Sequence, residues 1–483
     1  MGAMSTTICT IQTPKASINR ETKAGIESSI SFVSIRLTQR RRRVLSVKKL
    51  LCGAIVATFI LFGADTAHAD VVTDWNAIMQ ETVERTDPFL KIRSAAIMHL
   101  AVFEAVNAIV RDYEPYIGRV TALSGASPEA AAIAAAHRAL VALHPGSAPN
   151  LDMLRAKSLA AIPDDPAKNK GIVVGEAAAN AILALRADDG STVETSYTPG
   201  TKPGDWRPTP PDLTPAFRPG LGKVDTFVIK NGAQFRLEPP PALHSRRYAH
   251  DYDGVKRVGG VNSAERPRDR ADVARFYAVT DPVQLYYPAA RQVSVAQGKT
   301  ISENARIFAL LAIAICDGAI ACFETKYFYN NWRPVTAIRA GATDNNPKTD
   351  PDPNWLPLVA TPPFPSYPSG HAVFGGAARR VLEEVFGADG HSITLTNPLA
   401  PDVTLHYTNW KQITDDVDDG RVYGGVHYRF DQEAGARQGE RVGAYILRHK
   451  LRPLRGRPGK AAKTLRQMKS ANKYGYKRLL QPN

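Results

Sequence analysis

The stretch ISENARIFALLAIAICDGAIACFETKYF, residues 301–328, is apolar nearly all round. A helix without a polar face has to be buried on every side. In a chain with few alternating β-branched runs, that surrounding has to be other helices. The feature therefore sets the fold class: all-α, two packed helix bundles with this helix in a bundle core. Further helices are predicted over 73–110, broken or kinked near Pro88, and over 127–143, 148–160, 168–187, 371–387 and 431–449. Between residues 199 and 241 the chain holds ten prolines and cannot form regular helix. That segment reads equally as a wall or lid over a site and as a surface strap, and Trp206 and Arg207 within it are candidates for lining substrate access.

The predicted organisation is a leader over 1–69, an N-terminal helical bundle over 70–198, a Pro-rich connector over 199–245, a C-terminal catalytic bundle over 246–447 and a basic tail over 448–483. The formal net charge of +15 belongs to the ends. Residues 1–69 contribute +7, residues 448–483 contribute +12, and the intervening body is left at −4. A mildly acidic body argues against nucleic-acid binding. The tail reads as a solvated segment or as one that touches an acidic surface. Four arginines at 40–43, Lys48, Lys49, a 15-residue apolar run over 50–64 and the small residues Ala67 and Ala69 compose a secretory signal. The run is short for a membrane span. Export to the periplasm or outside the cell is expected, with a mature chain that starts near Asp70 and does not insert stably in a membrane. Arg41-Arg42-Arg43-Val44-Leu45 also resembles a twin-arginine signal, so the export route stays open. Cys316 and Cys322, six apart on the apolar helix, are too far separated for a disulfide and are expected to be buried thiols.

Three segments carry chemistry. In the first, Lys326 and Arg333 are seven apart, close to two helical turns, with Pro334 predicted to end the helix and leave the guanidinium at its mouth. Two cations at the end of a buried apolar helix call for an anion. In the second, Pro365-Ser366-Tyr367-Pro368-Ser369-Gly370-His371, Ser369 and Gly370 sit where a helix begins. The free N–H groups of a first turn make an oxyanion site, Gly370 permits close approach, and His371 can exchange protons. In the third, Arg421 adds a guanidinium, His427 offers an imidazole nitrogen as ligand or nucleophile, and Asp431 is placed to orient its other nitrogen. Together they describe a site for a tetrahedral or trigonal-bipyramidal oxyanion such as phosphate or vanadate.

These residues resemble the tripartite signature of type 2 phosphatidic acid phosphatases, bacterial class A acid phosphatases and vanadium-dependent haloperoxidases. The match comprises Lys326, Arg333, Pro334, Pro368, Ser369, Gly370, His371, Arg421, Gly425, His427 and Asp431, with Gly420 where the signature usually has Ser. The contexts TPPFPSYPSGHAVFGGA and GGVHYRFD look most like the vanadium chloroperoxidases. The resemblance implies that Lys326, Arg333, Ser369, Gly370 and Arg421 hold vanadate oxygens and that His427 bonds to vanadium. Catalysis would then rest on His371, His427 and Lys326. The partners implied are hydrogen peroxide, halide and an organic acceptor, with phosphate as competing ligand. Phe364 and Phe323 correspond to halide-pocket aromatics, Phe323 standing where the chloroperoxidases have Trp. For both aromatics, plain core packing is the other reading.

The rival expectation is an acid phosphatase in which His427 forms a phosphohistidine, His371 protonates the leaving group and vanadate inhibits. A helical bundle of this kind is also compatible with a homodimer.

Overall fold

The computed structural model describes residues 70–118 and 120–454. The signal segment, and the tail beyond 454, lie outside these residues. The first helices are α1 (Val71–Thr82), α2 (Pro88–Val110), α3 (Pro128–Leu143), α4 (Ala148–Ala160) and α5 (Pro166–Leu185). After the Pro-rich segment come α6 (Arg246–Gly259), α7 (Arg268–Ala278), α8 (Pro282–Ala296), α9 (Ile301–Tyr329) and the short α10 (Pro334–Arg339). Then follow α11 (Gly370–Phe386), a hairpin of β1 (Asp389–Thr396) and β2 (Thr404–Asn409), α12 (Trp410–Tyr423) and α13 (Arg429–His449).

Local chemistry explains most of these boundaries. Asp70, Asp87, Ser127, Asp165 and Ser245 accept hydrogen bonds from the first-turn N–H groups of the helices they precede. The break predicted near Pro88 is present: Pro88 occupies the first position of a second helix, where its missing N–H leaves no intrahelical bond unmade. Thr300 and Glu303 form a reciprocal capping box that starts α9.

Helix α9 is the axis of the molecule: 22 of its 29 residues are buried. It packs against α2 on one side and against α11 and α13 on the other, while α3 and α5 cover α2. Buried side chains such as Leu310, Leu311, Ile313 and Ile315 each contribute roughly 1.5–3 kcal/mol through removal from water. Helices α2 and α9 are long and apolar enough to cross a membrane, but 89% and 94% of their most apolar windows are buried inside the protein. Cys316 and Cys322 are free and buried, as expected.

Asp317 is a fully buried carboxylate in this helix. Its carboxylate accepts the backbone N–H groups of Phe227, Val228 and Ile229 at 2.6, 2.8 and 3.0 Å. This contact ties the irregular Pro-rich segment to the core. The segment contains only short 3-10 turns, at Leu221–Lys223 and Gly232–Phe235.

Helices α11 and α13 approach backbone to backbone. A Cβ placed at Gly439 would collide with the carbonyl oxygen of Val373, and one at Gly435 would lie 2.6 Å from that of Ser369. Glycine at these crossings lets the two helices that carry the second and third motifs meet.

The antiparallel hairpin was not anticipated. Its strands alternate exposed and buried positions only over a few residues, with Ile393, Leu395 and Tyr407 facing inward.

Candidate functional site

The three motifs converge in the C-terminal half of the fold. The geometry of the first differs from the prediction. Helix α9 stops at Tyr329, capped by Asn330 in the left-handed region at φ 54°. Arg333 then lies in extended backbone, and Pro334 opens α10 instead of ending α9. Lys326 and Arg333 do not share a helical face, but they still meet. Both approach the ring of Phe364, at 5.1 Å for the Lys326 Nζ and 4.9 Å for the Arg333 Cζ.

Lys326 is fully buried, and its ammonium donates to the carbonyls of Pro365, Ser366 and Pro368. It therefore shapes the loop that leads into α11 while lending its charge to the site. Burial pushes its pKa down. Arg333 donates from Nε to the Phe364 carbonyl at 2.8 Å and from Nη1 to the Val426 carbonyl at 2.8 Å. Its Nη2 has no partner although it is buried. Burial lowers its pKa to about 9.

Ser369 caps α11 through its hydroxyl, and its own N–H donates to the Asp431 carbonyl at 3.0 Å. The N–H groups of Gly370 and His371 belong to the first turn, where no intrahelical acceptor exists. A Cβ at Gly370 would come no nearer to its neighbours than 3.7 Å, to the Phe374 ring, so the protein's own packing does not demand glycine there. His371 is partly exposed to the adjacent cavity and makes no side-chain hydrogen bond among the described residues. Burial and the neighbouring Arg421, Lys326 and Arg333 hold its pKa well below the usual range.

The third motif follows a tight turn. Gly425 has φ +79°, and a Cβ there would strike the Gly259 carbonyl oxygen of α6, so only glycine lets the chain reverse at this point. Arg421, in the last turn of α12, donates from Nη1 to the Tyr277 carbonyl at 3.2 Å, while its buried Nε has no partner. Burial lowers its pKa to about 10. Asp431 Oδ2 receives the His427 Nδ1–H at 2.8 Å, the Ser366 hydroxyl at 2.5 Å and the Tyr428 N–H at 3.2 Å. With Nδ1 protonated, His427 presents an unprotonated Nε2, which accepts from Arg333 Nη1 at 3.1 Å. Burial and the surrounding cations hold its pKa well below the usual range, so the ring is neutral at neutral pH.

A cavity of about 370 Å³ opens onto Gly370, His371, Arg421 and His427. Its other walls are mainly apolar and include Phe89, Phe217, Phe323, Phe364 and Phe374. Phe323 and Phe364 lie together with ring centroids 5.1 Å apart, and Phe217 joins them at 6.1 and 6.2 Å. Phe217 comes from the Pro-rich segment, which thus does wall the site. Trp206 does not line this cavity: it is fully buried, packed on Tyr197, and its backbone N–H donates to the Asn330 carbonyl. Arg207 bonds to the Lys202 carbonyl and is likewise absent from the cavity wall. Ser366, Phe217 and Phe374 were missed by sequence reasoning. Ser366 could have been noticed only by its place in the loop before the PSGH motif.

Three cations and one carboxylate share this buried region. Two guanidinium nitrogens without acceptors and a neutral imidazole whose Nε2 lone pair is engaged only by Arg333 meet the needs of a tetrahedral oxyanion that also takes a nitrogen ligand. Among the described residues no group of three or more His, Cys, Asp or Glu could hold a metal cation. The donor set fits vanadate: Arg333, Arg421, Ser369 and Gly370 would supply donors, Lys326 charge and His427 the nitrogen ligand.

Residues 306–456 match the family described as the VCPO second helical-bundle domain. The vanadium chloroperoxidase of Curvularia inaequalis is 26% identical over 379 residues, 62% of this chain and 62% of that one. The vanadium-dependent bromoperoxidase of Ascophyllum nodosum is 32% identical over 129 residues, 24% of this chain and 23% of that one. The chain thus spans less than two thirds of the length of either curated relative. Among solved structures, a bacterial vanadium-dependent iodoperoxidase superposes with TM-score 0.66 at 25% identity, covering 79% of this chain and 96% of that one. A holo-type bacterial vanadium-dependent chloroperoxidase shares the fold with TM-score 0.62 at 16% identity, over 79% of this chain and 92% of that one.

Proposed function

We propose that this chain, whose family is that of the vanadium haloperoxidases, uses hydrogen peroxide to oxidise halide to hypohalous acid, with vanadate held by the three motifs. The observation that carries the reading is the pairing of an uncompensated cationic cradle with a neutral His427 whose Nε2 faces the same space. Bound vanadate supplies a Lewis-acidic centre of fixed oxidation state at which peroxide becomes electrophilic.

The protein's part follows from its own groups. Arg333, Arg421 and Lys326 hold positive charge where anionic oxygens gather, and they act without reorganising because their other donors are already bound. Asp431 fixes the His427 ring and its tautomer. His371 is neutral, uncommitted and next to the cavity, so its ring can accept a proton from an incoming peroxide and return one to a leaving oxygen. The phenylalanines exclude water around the halide position, which strengthens each of these interactions.

The phosphatase reading uses the same cradle, and the family matches favour the haloperoxidase. Phosphate is proposed as a competing ligand. Electron-rich organic compounds are the proposed final acceptors of the halogen. Export through the leader, the two-bundle domain boundaries and a homodimeric state are parts of the same proposal, read respectively by cell fractionation, limited proteolysis and light scattering.

The test takes one preparation of the chain from Asp70, with and without orthovanadate. Peroxide-dependent bromination or chlorination of a dione dye that requires vanadate supports the reading. Hydrolysis of p-nitrophenyl phosphate that vanadate inhibits, with no halogenation, contradicts it.

A further inference from the structure

Ser366 is fully buried in the loop between Phe364 and Pro368, ahead of the Pro368–His371 match, and has no role in the signature. Its main chain is fixed at both ends by residues of the first motif's region: its N–H donates to the Asn331 carbonyl at 2.8 Å, and its carbonyl accepts from Lys326 Nζ at 2.9 Å. Its hydroxyl is thereby held against Asp431, where it donates to Oδ2 at 2.5 Å, the shortest of the three bonds on that oxygen. The same Oγ lies 3.4 Å from His427 Nδ1. Asp431 Oδ1 has no partner, so all of the bonds that fix the carboxylate's rotation converge on Oδ2.

We propose that Ser366 is a positioning residue for the anion site, locking the Asp431 carboxylate so that His427 keeps its proton on Nδ1 and its lone pair on Nε2. This rests on the reading of His427 as the vanadium ligand. Without the hydroxyl, Oδ2 loses its strongest donor, and the carboxylate gains freedom to turn its unpartnered Oδ1 toward the ring or away from it. The cations of the cradle do not touch the Ser366 hydroxyl, so they stay in place. The consequence is selective: a ligand that needs Nε2 suffers, and one held by charge alone does not. A group that orients a metal-binding histidine in this way typically accounts for a 10–100-fold difference in metal affinity.

The experiment compares wild type, Ser366→Ala and Ser366→Thr by calorimetric titration with orthovanadate and, separately, with inorganic phosphate. Long-range proton–nitrogen NMR of the histidine rings, with His427 assigned by its absence in His427→Ala, reads the tautomer without any anion. The expected result is vanadate binding weakened about 10–100-fold in Ser366→Ala, phosphate binding within about threefold of wild type, and a mixture of His427 tautomers. Ser366→Thr, which keeps the hydroxyl, should retain the single tautomer. Unchanged vanadate affinity and a single tautomer in Ser366→Ala would overturn the proposal, as would an equal loss for both anions, which indicates general damage to the cradle. If wild type shows no preference for vanadate over phosphate, the haloperoxidase reading fails separately. The NMR arm still decides Ser366, since a single tautomer in Ser366→Ala overturns its role.

Discussion

Arg333 Nη1 lies 3.1 Å from His427 Nε2, so the nitrogen read as the vanadium ligand is already the acceptor of a fixed guanidinium. The second nitrogen of that guanidinium, Nη2, is buried without a partner. Arg333 thus bridges the imidazole and the anion's expected position. Arg333→Lys keeps the charge but cannot reproduce the planar fork. Loss of a charge-assisted hydrogen bond is worth about 1.5–3 kcal/mol, so orthovanadate affinity should fall roughly 10–150-fold. Fluorescence or calorimetric titration checks this.

His371 should separate binding from turnover. It has no side-chain hydrogen bond among the described residues, so its removal leaves the cradle intact. His371→Ala should lower halide oxidation by about 10²–10⁴-fold, the usual worth of a proton-transferring group, while vanadate affinity changes by less than about fivefold. Parallel loss of both would assign His371 to the cradle instead.

Acid stability gives a prediction with a definite sign. The folded-state pKa values of His371 and His427 are depressed by burial and by the surrounding cations, and burial lowers that of His99 to about 3. A histidine depressed in the folded state favours folding when neutral. Its contribution is therefore present above the unfolded value, about 6.5, and is lost as pH falls below it. Burial raises the pKa values of Asp317 and Asp431 to about 6 and of Asp418 to about 7, which favours folding toward acid, so the histidine contribution is read as a difference: between pH 7 and pH 5 the melting temperature of the anion-free wild type should fall relative to that of His371→Gln. Orthovanadate should reduce that relative fall, since a bound anion offsets the cations that oppose protonation. A gap between wild type and His371→Gln that does not change from pH 7 to pH 5 would contradict this assignment.

The close crossing of α11 and α13 should be intolerant of added bulk. Gly439→Ala places a methyl against the Val373 carbonyl, and overpacking of this kind costs about 1–3 kcal/mol. Because α11 carries Ser369 and His371 and α13 carries Asp431, vanadate affinity should fall together with the melting temperature. Wild-type affinity in a destabilised Gly439→Ala would show that the crossing does not set the site.

Much of this was legible in the residues. The absence of a polar face on 301–328 demanded a core helix, and α9 is one. The Ser-Gly-His run marked a helix start, and Ser369 is its cap. What was misread concerns chain direction between elements. Pro334 can close one helix or open another, and only the left-handed Asn330 four residues upstream makes it an opener here. Trp206 sits in a segment that walls the cavity, but its apolar bulk is satisfied by Tyr197 and the core, while Phe217 takes the wall. Ser366 carried no spacing signal, because its role depends on contacts with Asn331, Lys326 and Asp431, which are distant in sequence.

The central claim is that His427 Nε2 is the nitrogen ligand of a vanadate held by these motifs. X-ray absorption at the vanadium edge tests it directly on wild type and His427→Ala, each saturated with orthovanadate. The account predicts a vanadium–nitrogen scattering path in wild type that is missing in His427→Ala, with the surrounding oxygen shell present in both. An identical vanadium environment in the two proteins would contradict it.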